Sequence, residues 1–235
     1  MKRFWEIDFL RGIAILMMIA FHFAWDLNYF GYTNLILYAG FLGLFQKATA
    51  GLFIFLVGVS MVLSYKNRKQ DYAKHFLRRG TKVFGMGLLI TTFTLIAFPQ
   101  NFIFFGVLHL IGVSIMLAIP FVKREKLALA LGTIILLTAI FFNYASIGIS
   151  ELTWVGLAEP NATFDFFPVL PWFGVVLIGL FIGNTFLLNR KESFVKKPTK
   201  IVNPIIFLGK NALLVYFIHQ PILFALFFAA KIIGI

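Results

Sequence analysis

Seven long apolar runs follow one another along the chain, and short polar segments separate them. A transmembrane helix needs about 20 largely apolar residues, and each run comes near that length. The pattern predicts an all-α integral membrane protein built as a bundle of about seven helices. The predicted spans are 9–30, 42–64, 80–98, 103–121, 127–143, 168–188 and 205–228. No polar block is long enough to fold separately, so we expect a single domain over residues 1–235.

Composition supports the membrane interpretation and excludes a soluble protein. Hydrophobic residues make up 60% of the 235 residues and charged residues only 13%, and the mean hydropathy is +0.92. Soluble domains carry about twice that charged fraction. The chain has no cysteine, which excludes disulfides and thiolate chemistry. We therefore expect a multi-pass protein of the cell membrane whose first partner is the lipid bilayer.

The net charge of +12 predicts an orientation rather than a nucleic-acid partner. If the N-terminus is cytoplasmic, every lysine and arginine except Lys47 and Lys231 falls on the cytoplasmic side of the predicted spans. Cytoplasmic loops of membrane proteins carry such an excess of basic residues. We expect a cytoplasmic N-terminus, a C-terminus outside the cell and no nucleic-acid binding.

The first apolar run carries four ionisable residues on one face: Asp8, Arg11, His22 and Asp26. At about 100° per residue their side chains fall within about 60° on the helix wheel. Arg11 and His22 lie roughly 16 Å apart along the axis. Ionisable groups inside a span are costly in lipid, so this face predicts the wall of a site with two separate tasks.

The histidines of the predicted outer half indicate proton-transfer chemistry. His22 and Asp26 are four residues apart, so a carboxylate could hold the imidazole and raise its basicity, as a general base requires. His109 and His219 fall at a similar depth on other spans. Two other interpretations remain open. The polar residues could tie helices together, or the three histidines and Asp26 could bind zinc, although their spacing is not compact.

Basic residues at the predicted inner edge indicate an anion site. Arg11 lies on the site-lining face, with Asp8 as its expected partner, and guanidinium groups suit phosphate geometry. Arg78, Arg79 and Lys82 cluster at the start of the third span. Basic loops are expected on the inner side in any case, which is the alternative for this cluster. An inner anion site and an outer histidine site together suit a long phosphorylated donor such as a coenzyme A thioester.

Five stretches carry a resemblance to a known family. They read IDFLRGIAILMMIAFH, FLRRGTKVF, FFGVLHLIGVS, DFFPVLPWFGVVLIG and LLVYFIHQPIL. Together they resemble the small prokaryotic relatives of the heparan-alpha-glucosaminide N-acetyltransferase catalytic domain, within the membrane acyltransferase 3 superfamily. The resemblance extends over nearly the whole chain. Its N-terminal pattern, an arginine, a glycine, an apolar run and a histidine eleven residues after the arginine, falls on Arg11 and His22.

The resemblance implies transfer of an acyl group from a cytoplasmic coenzyme A thioester to a sugar on the far side of the membrane. It also implies a basic pair at the start of the third helix, here Arg78 with Arg79 or Lys82. The lysosomal animal enzyme of the family uses a histidine in its first luminal loop, whereas residues 27–48 here contain none. His22 is the substitute that we expect.

We therefore expect a membrane acetyltransferase that uses acetyl-CoA and modifies an amino sugar or glycan. His22 would be the base, oriented by Asp26, and His109 or His219 would donate to the oxyanion, with Asn211 and Gln220 as weaker candidates. Arg11 and the basic cluster would bind the coenzyme A phosphates, with no metal. The alternatives are a proton-coupled transporter or channel and a structural membrane subunit, and homo-oligomerisation stays open.

Overall fold

The computed structural model describes residues 4–190, 192–195 and 198–234. Eight α-helices account for most of these residues. They are α1 Trp5–Tyr29, α2 Gly40–Asn67, α3 Tyr72–Ala97, α4 Val107–Leu117, α5 Glu125–Phe141, α6 Val169–Leu187, α7 Asn203–Lys210 and α8 Ala212–Ile232. The described ranges contain no β-strand, only one isolated bridge between Phe105 and Phe166. The predicted all-helical class is therefore confirmed.

Five helices, α1, α2, α3, α6 and α8, are long and apolar enough to cross a membrane. The chain is thus a multi-pass membrane protein. The predicted fourth and fifth spans correspond to α4, with 11 residues, and α5, with 17 residues. These lengths are below or at the lower end of the usual range for a span. The count of seven spans, the orientation and the single domain stay predictions.

Helix α4 is shorter than its predicted span for a different reason at each end. Before it, the backbone of Phe105 pairs with a distant segment, because the Phe167 N–H donates to the Phe105 carbonyl at 3.1 Å. That pairing holds residue 105 in an extended strip. After it, Pro120 lies in a short 3-10 turn, Ile119–Phe121. Proline has no N–H for the helix ladder and disfavours a helical residue before it.

The predicted last span is two helices in the structure. A turn at Asn211 separates α7 from α8, and the Asn211 side chain donates to the Phe207 carbonyl at 2.9 Å. The third helix differs in the other direction, since it begins at Tyr72 rather than residue 80. Arg78, Arg79 and Lys82 therefore all lie within α3.

Packing divides the chain into two compact units, and the first joins the two ends of the chain: residues 1–53 and 191–235. In this unit α1 packs along α7 and α8. Gly12 and Gly209 permit close contact, because a Cβ added at Gly209 would lie 2.8 Å from the Gly12 nitrogen. Glycine is the residue that lets helix backbones approach in this way.

Helix α1 runs parallel to α7 and α8. Gly12 lies against Gly209, His22 against His219, and Phe30 against Phe227, so residue numbers rise together along both partners. Two parallel membrane helices of one chain require an odd number of crossings between them. Five spans and seven spans both satisfy this condition. Helices α4 and α5 must therefore either both cross the membrane or both not cross it.

The second unit comprises residues 54–190. Its central contact lies between α2 and α6, where a Cβ at Gly58 would lie 2.6 Å from the Leu180 nitrogen, and one at Gly183 would lie 2.9 Å from Val62. A Cβ at Gly179 would collide with the Phe55 carbonyl. Small residues four positions apart on an apolar helix favour such close contact, and Gly179 and Gly183 supply them on α6.

Candidate active site

His22 on α1 and His219 on α8 form the centre of a polar cluster in the first unit. Their ring centroids lie 4.8 Å apart, with the planes at 74°. His219 is buried and His22 is partly buried. The sequence placed both histidines in the outer half of their spans, and the structure brings them into direct contact.

A backbone carbonyl fixes the tautomer of each ring. His22 Nδ1 lies 2.9 Å from the Met18 carbonyl oxygen, and His219 Nδ1 lies 2.7 Å from the Tyr216 carbonyl oxygen. A carbonyl oxygen only accepts, so Nδ1 must carry the hydrogen in both rings. The lone pair of each neutral imidazole is then on Nε2. Each Nε2 is therefore the atom that can take a proton.

Asp26 pairs with Gln220 rather than with His22. Gln220 Nε2 donates to Asp26 Oδ1 at 2.8 Å, across two helices whose paired residues lie 194 positions apart. Asp26 is completely buried. The expected support of His22 by Asp26 is replaced by the Met18 carbonyl on one side and the His219 ring on the other. We call His22, Asp26, His219 and Gln220 the polar cluster.

Three buried atoms of the polar cluster have no hydrogen-bond partner among the described residues: Asp26 Oδ2, His219 Nε2 and Gln220 Oε1. The orientation of Gln220 and the tautomer of His219 make all three hydrogen-bond acceptors when Asp26 is a carboxylate. A buried polar atom without a partner costs about 1–3 kcal/mol. The cluster is thus suited to a ligand that offers several N–H or O–H groups.

Arg11 lies near the other end of α1 and forms the expected pair with Asp8. Arg11 Nη1 donates to Asp8 Oδ1 at 2.9 Å, and the side chains are 24% and 2% exposed, respectively. The buried carboxylate fixes the guanidinium group at the surface of the unit. Arg11 and His22 lie eleven residues apart on one helix, which gives the predicted separation of about 16 Å.

A nearby contact at the start of α1 was not apparent from the sequence. The Trp5 indole N–H donates to the Val195 carbonyl, and the Val195 N–H donates to Glu6 Oε1, both at 3.0 Å. Two side chains of α1 thus hold one backbone residue of the connection before α7. No periodic pattern could have indicated it, because the bonded residues are about 190 positions apart.

His109 lies in the second unit, where its hydrogen bonds are complete. Its Nδ1 accepts from the Gly106 N–H at 3.2 Å, so Nε2 carries the hydrogen and donates to Thr91 Oγ1 at 3.3 Å. Thr91 in turn donates to the Ile103 carbonyl at 2.6 Å. His109 therefore caps the N-terminus of α4. These bonds favour a structural role, and its participation in catalysis stays a prediction.

Asp165 assists the same helix terminus from the connection before α6. Its Oδ2 accepts from the Val107 N–H at 3.1 Å. Burial raises the pKa of Asp165 to about 6, although the Val107 hydrogen bond acts in the opposite direction. A carboxylate is favourable at a helix N-terminus, but desolvation opposes its charge.

The basic cluster predicted for anion binding lies in the first turns of α3. Arg78 and Lys82 are exposed and four residues apart, so they share a helix face, whereas Arg79 is half-buried. Lys66, at the end of α2, donates to the Leu187 carbonyl at 3.4 Å and to that of Arg190. Lys66 thus caps the end of α6. The phosphate-binding role of Arg78, Arg79 and Lys82 stays a prediction.

Comparison with known proteins settles the family. The family model described as heparan-alpha-glucosaminide N-acetyltransferase, catalytic, matches residues 3–221. The chain belongs to this family. No curated protein sequence and no solved structure matches the chain. The family match identifies an acetyltransferase of the membrane acyltransferase type and confirms the resemblance found in the sequence.

The match to the N-acetyltransferase family includes the whole polar cluster and the Asp8 and Arg11 pair. Within residues 4–190, 192–195 and 198–234, no group of three or more His, Asp or Glu side chains is arranged to hold a metal ion. The chemistry of the polar cluster follows from its hydrogen bonds, which leave acceptor atoms on His219, Asp26 and Gln220. Gln220 gains a partner that the sequence did not indicate, since it was expected only as a weak oxyanion donor.

Proposed function

We propose that this protein transfers an acetyl group from cytoplasmic acetyl-CoA to the amine of an amino sugar or a related glycan on the outer side of the membrane. The contact between His22 and His219 carries the proposal, because it brings together two imidazoles whose neutral rings keep Nε2 available to accept a proton. Membership of an N-acetyltransferase family supports the same reaction.

The reaction needs proton acceptors at the amine. An ammonium group must lose one proton before its nitrogen can attack the thioester carbonyl, and the tetrahedral adduct must lose a second to become an amide. His22 Nε2 takes the first proton, and the neighbouring His219 Nε2 is available for the second. The C–S bond then breaks, the C–N bond remains, and the departing thiolate takes one of these protons to leave as the free thiol.

The hydrogen-bonding character of the polar cluster favours an amine over a hydroxyl as the attacking group. Asp26, as a carboxylate, would attract an ammonium ion, and the three unpaired buried atoms are hydrogen-bond acceptors. An ammonium offers three N–H donors, whereas a hydroxyl offers one. When an ammonium binds, fewer acceptor atoms of the site therefore stay without a hydrogen bond than when a hydroxyl binds.

Donor binding is assigned to the opposite end of α1. Arg11 would hold a coenzyme A phosphate, with Asp8 fixing the orientation of its guanidinium group. The pantetheine arm would extend along the α1 face towards His22, about 16 Å away. Phosphate binding by Arg78, Arg79 and Lys82 on α3 stays a separate prediction. Arginine suits this role because it binds phosphate through two parallel hydrogen bonds.

The same pair of histidines would also suit a proton relay in a transporter. The two functions differ in one measurable property, which is release of free coenzyme A thiol. Purified protein in detergent, given acetyl-CoA and amino sugars, should release thiol only when an amine is present. An absence of thiol release, with proton flux in proteoliposomes instead, would replace the acetyltransferase proposal.

A further inference from the structure

We infer that Gln220 and Asp26 form a subsite beside the amine site at His22 and His219, and that this subsite binds a hydroxyl group next to the attacking amine. The inference rests on the proposed function and deepens it, because it assigns a specificity-determining role to residues that lie one helical turn beyond the reacting histidine. The expected substrate is an amine whose neighbouring carbon carries a hydroxyl, rather than a simple alkyl amine.

The orientation of the Gln220 amide follows from its partner. A carboxylate oxygen only accepts hydrogen bonds, so the group that lies 2.8 Å from Asp26 Oδ1 must be the Gln220 NH2. The amide oxygen then has to lie on the other side of the amide carbon. It is buried and has no partner in the described part of the chain, and the same is true of Asp26 Oδ2.

These two unpaired oxygens provide a strong basis for selectivity. A site built to hydrogen-bond a substrate hydroxyl rejects an analogue that lacks it, because the protein groups stay buried and unpaired. The single carboxylate of the subsite can balance one ammonium charge but not two. A neutral donor, a hydroxyl, is therefore the group that suits Gln220 Oε1 beside an ammonium held by Asp26 and the histidines.

The spacing along α1 suits two neighbouring donors of one small molecule. His22 and Asp26 are four residues apart, which is about 6 Å along the helix axis. Their partners on α8, His219 and Gln220, are consecutive residues. Hydrogen bonds of about 2.9 Å from an amine and an adjacent hydroxyl can bridge acceptors at this separation. An amine without the neighbouring hydroxyl leaves Gln220 Oε1 unpaired.

The experiment compares three acetyl acceptors that differ at one position: a methyl glucosaminide, its 3-deoxy analogue and its 3-fluoro analogue. Fluorine withdraws electrons from the amine as a hydroxyl does but cannot donate a hydrogen bond. Thiol release by the wild-type protein should give a kcat/KM at least about 10-fold higher for the hydroxyl compound than for either analogue. This comparison needs no mutation and therefore does not depend on a variant that folds.

Two variants locate the effect at Gln220. Gln220→Met, which removes both polar atoms at similar length, should reduce the hydroxyl preference to within about threefold of unity. The double variant Asp26→Asn with Gln220→Glu reverses the direction of the hydrogen bond between the two positions. Its asparagine NH2 can donate to the glutamate, which leaves an acceptor oxygen on each residue, so it should retain the preference.

The outcomes separate this inference from the proposed function. Equal kcat/KM for the three compounds in the wild-type protein, or an unchanged preference in Gln220→Met, would overturn the hydroxyl subsite while acetyl transfer stands. Thiol release from none of the three compounds would overturn the proposed function, and the inference with it.

Discussion

His22 and His219 meet edge to face, with ring centroids 4.8 Å apart, between helices α1 and α8 that run parallel. Each ring donates Nδ1–H to a carbonyl of its own helix. Nε2 is therefore the acceptor nitrogen of each neutral ring, and the buried His219 Nε2 has no hydrogen-bond partner in the described part of the chain. In the proposed reaction the pair would accept the two protons that the amine loses during acetylation.

The first prediction concerns this pair. His22→Gln and His219→Gln should each lower kcat for acetyl transfer. In the double variant, kcat should fall by a smaller factor than the product of the two single factors. Residues that share a proton or a contact act as a unit, so their effects are not additive. Steady-state thiol release by the four proteins of the double-mutant cycle measures this coupling.

If the fall in kcat of the double variant equals the product of the two single falls, His22 and His219 act independently. Glutamine is preferred to alanine here because it keeps a polar side chain in each buried position. Binding of an acetyl-CoA analogue to all four proteins provides the control for folding.

The second prediction concerns Arg11. Arg11→Ala should weaken binding of coenzyme A by about 10-fold or more, and Arg11→Lys should recover only part of this loss, because lysine cannot form two parallel hydrogen bonds to a phosphate. Displacement of a labelled coenzyme A analogue measures the affinity. Lys126→Ala is the matched control, since Lys126 is exposed at the start of α5.

An unchanged affinity in Arg11→Ala would contradict the assignment of Arg11 to the donor. Equal loss in Lys126→Ala would indicate a general effect of positive charge instead of a specific phosphate contact. Raising the salt concentration should weaken binding to the wild-type protein more than binding to Arg11→Ala.

The third prediction tests the contact that fixes α1 against α7. Gly209→Ala should lower the melting temperature in detergent, because the added Cβ would collide with the Asp8 carbonyl and lie 2.8 Å from the Gly12 nitrogen. Gly85→Ala is the control. A Cβ at Gly85 meets nothing within 4 Å, and alanine is the better helix former.

Melting temperatures that fall equally in Gly209→Ala and Gly85→Ala would contradict this account of the α1 and α7 contact. Thermal unfolding of the two variants and the wild-type protein at the same detergent concentration gives the comparison.

The fourth prediction concerns Asp165, whose pKa in the folded protein is about 6. Since this is above the usual value of 3.8, the folded state retains a proton that the unfolded state releases, and stability falls as pH rises from about 4 through 6. Asp165→Asn keeps an oxygen that can accept from Val107. It should remove this pH dependence and raise the melting temperature at pH 8.

Melting temperatures of the wild-type protein and Asp165→Asn between pH 4 and pH 8 test the fourth prediction. Parallel curves for the two proteins would contradict it. His109→Ala is a useful companion, because loss of the second cap of α4 should lower the melting temperature at every pH.

Three features could be predicted from the sequence: the helical class, the contact face of α6 and the pairing of Asp8 with Arg11. Each depends on local spacing, namely apolar length, a glycine every four residues, or charges three residues apart. The partner of Asp26 could not be predicted in this way. Gln220 lies 194 residues away, and its position depends on the parallel packing of α1 and α8.

The boundaries of α4 differ from those predicted from the sequence for a related reason. Residues 103–106 are apolar and were predicted as part of a span, but the hydrogen bond from Phe167 to Phe105 holds Phe105 outside the helix. Only the tertiary structure shows this. His109 is similar, because its depth in an apolar run suggested a site, whereas its neighbours Gly106 and Thr91 use both of its ring nitrogens.

Thiol release from acetyl-CoA in the presence of amino sugars, compared among the wild-type protein, His22→Ala and His75→Ala, tests whether His22 is the base of an acetyl transfer. His75 lies in the first turn of α3, outside the polar cluster, and is the matched control. Amine-dependent release should fall by about 10²–10⁴-fold in His22→Ala, with coenzyme A binding intact, and should be retained in His75→Ala. Full activity in His22→Ala would show that His22 is not the base.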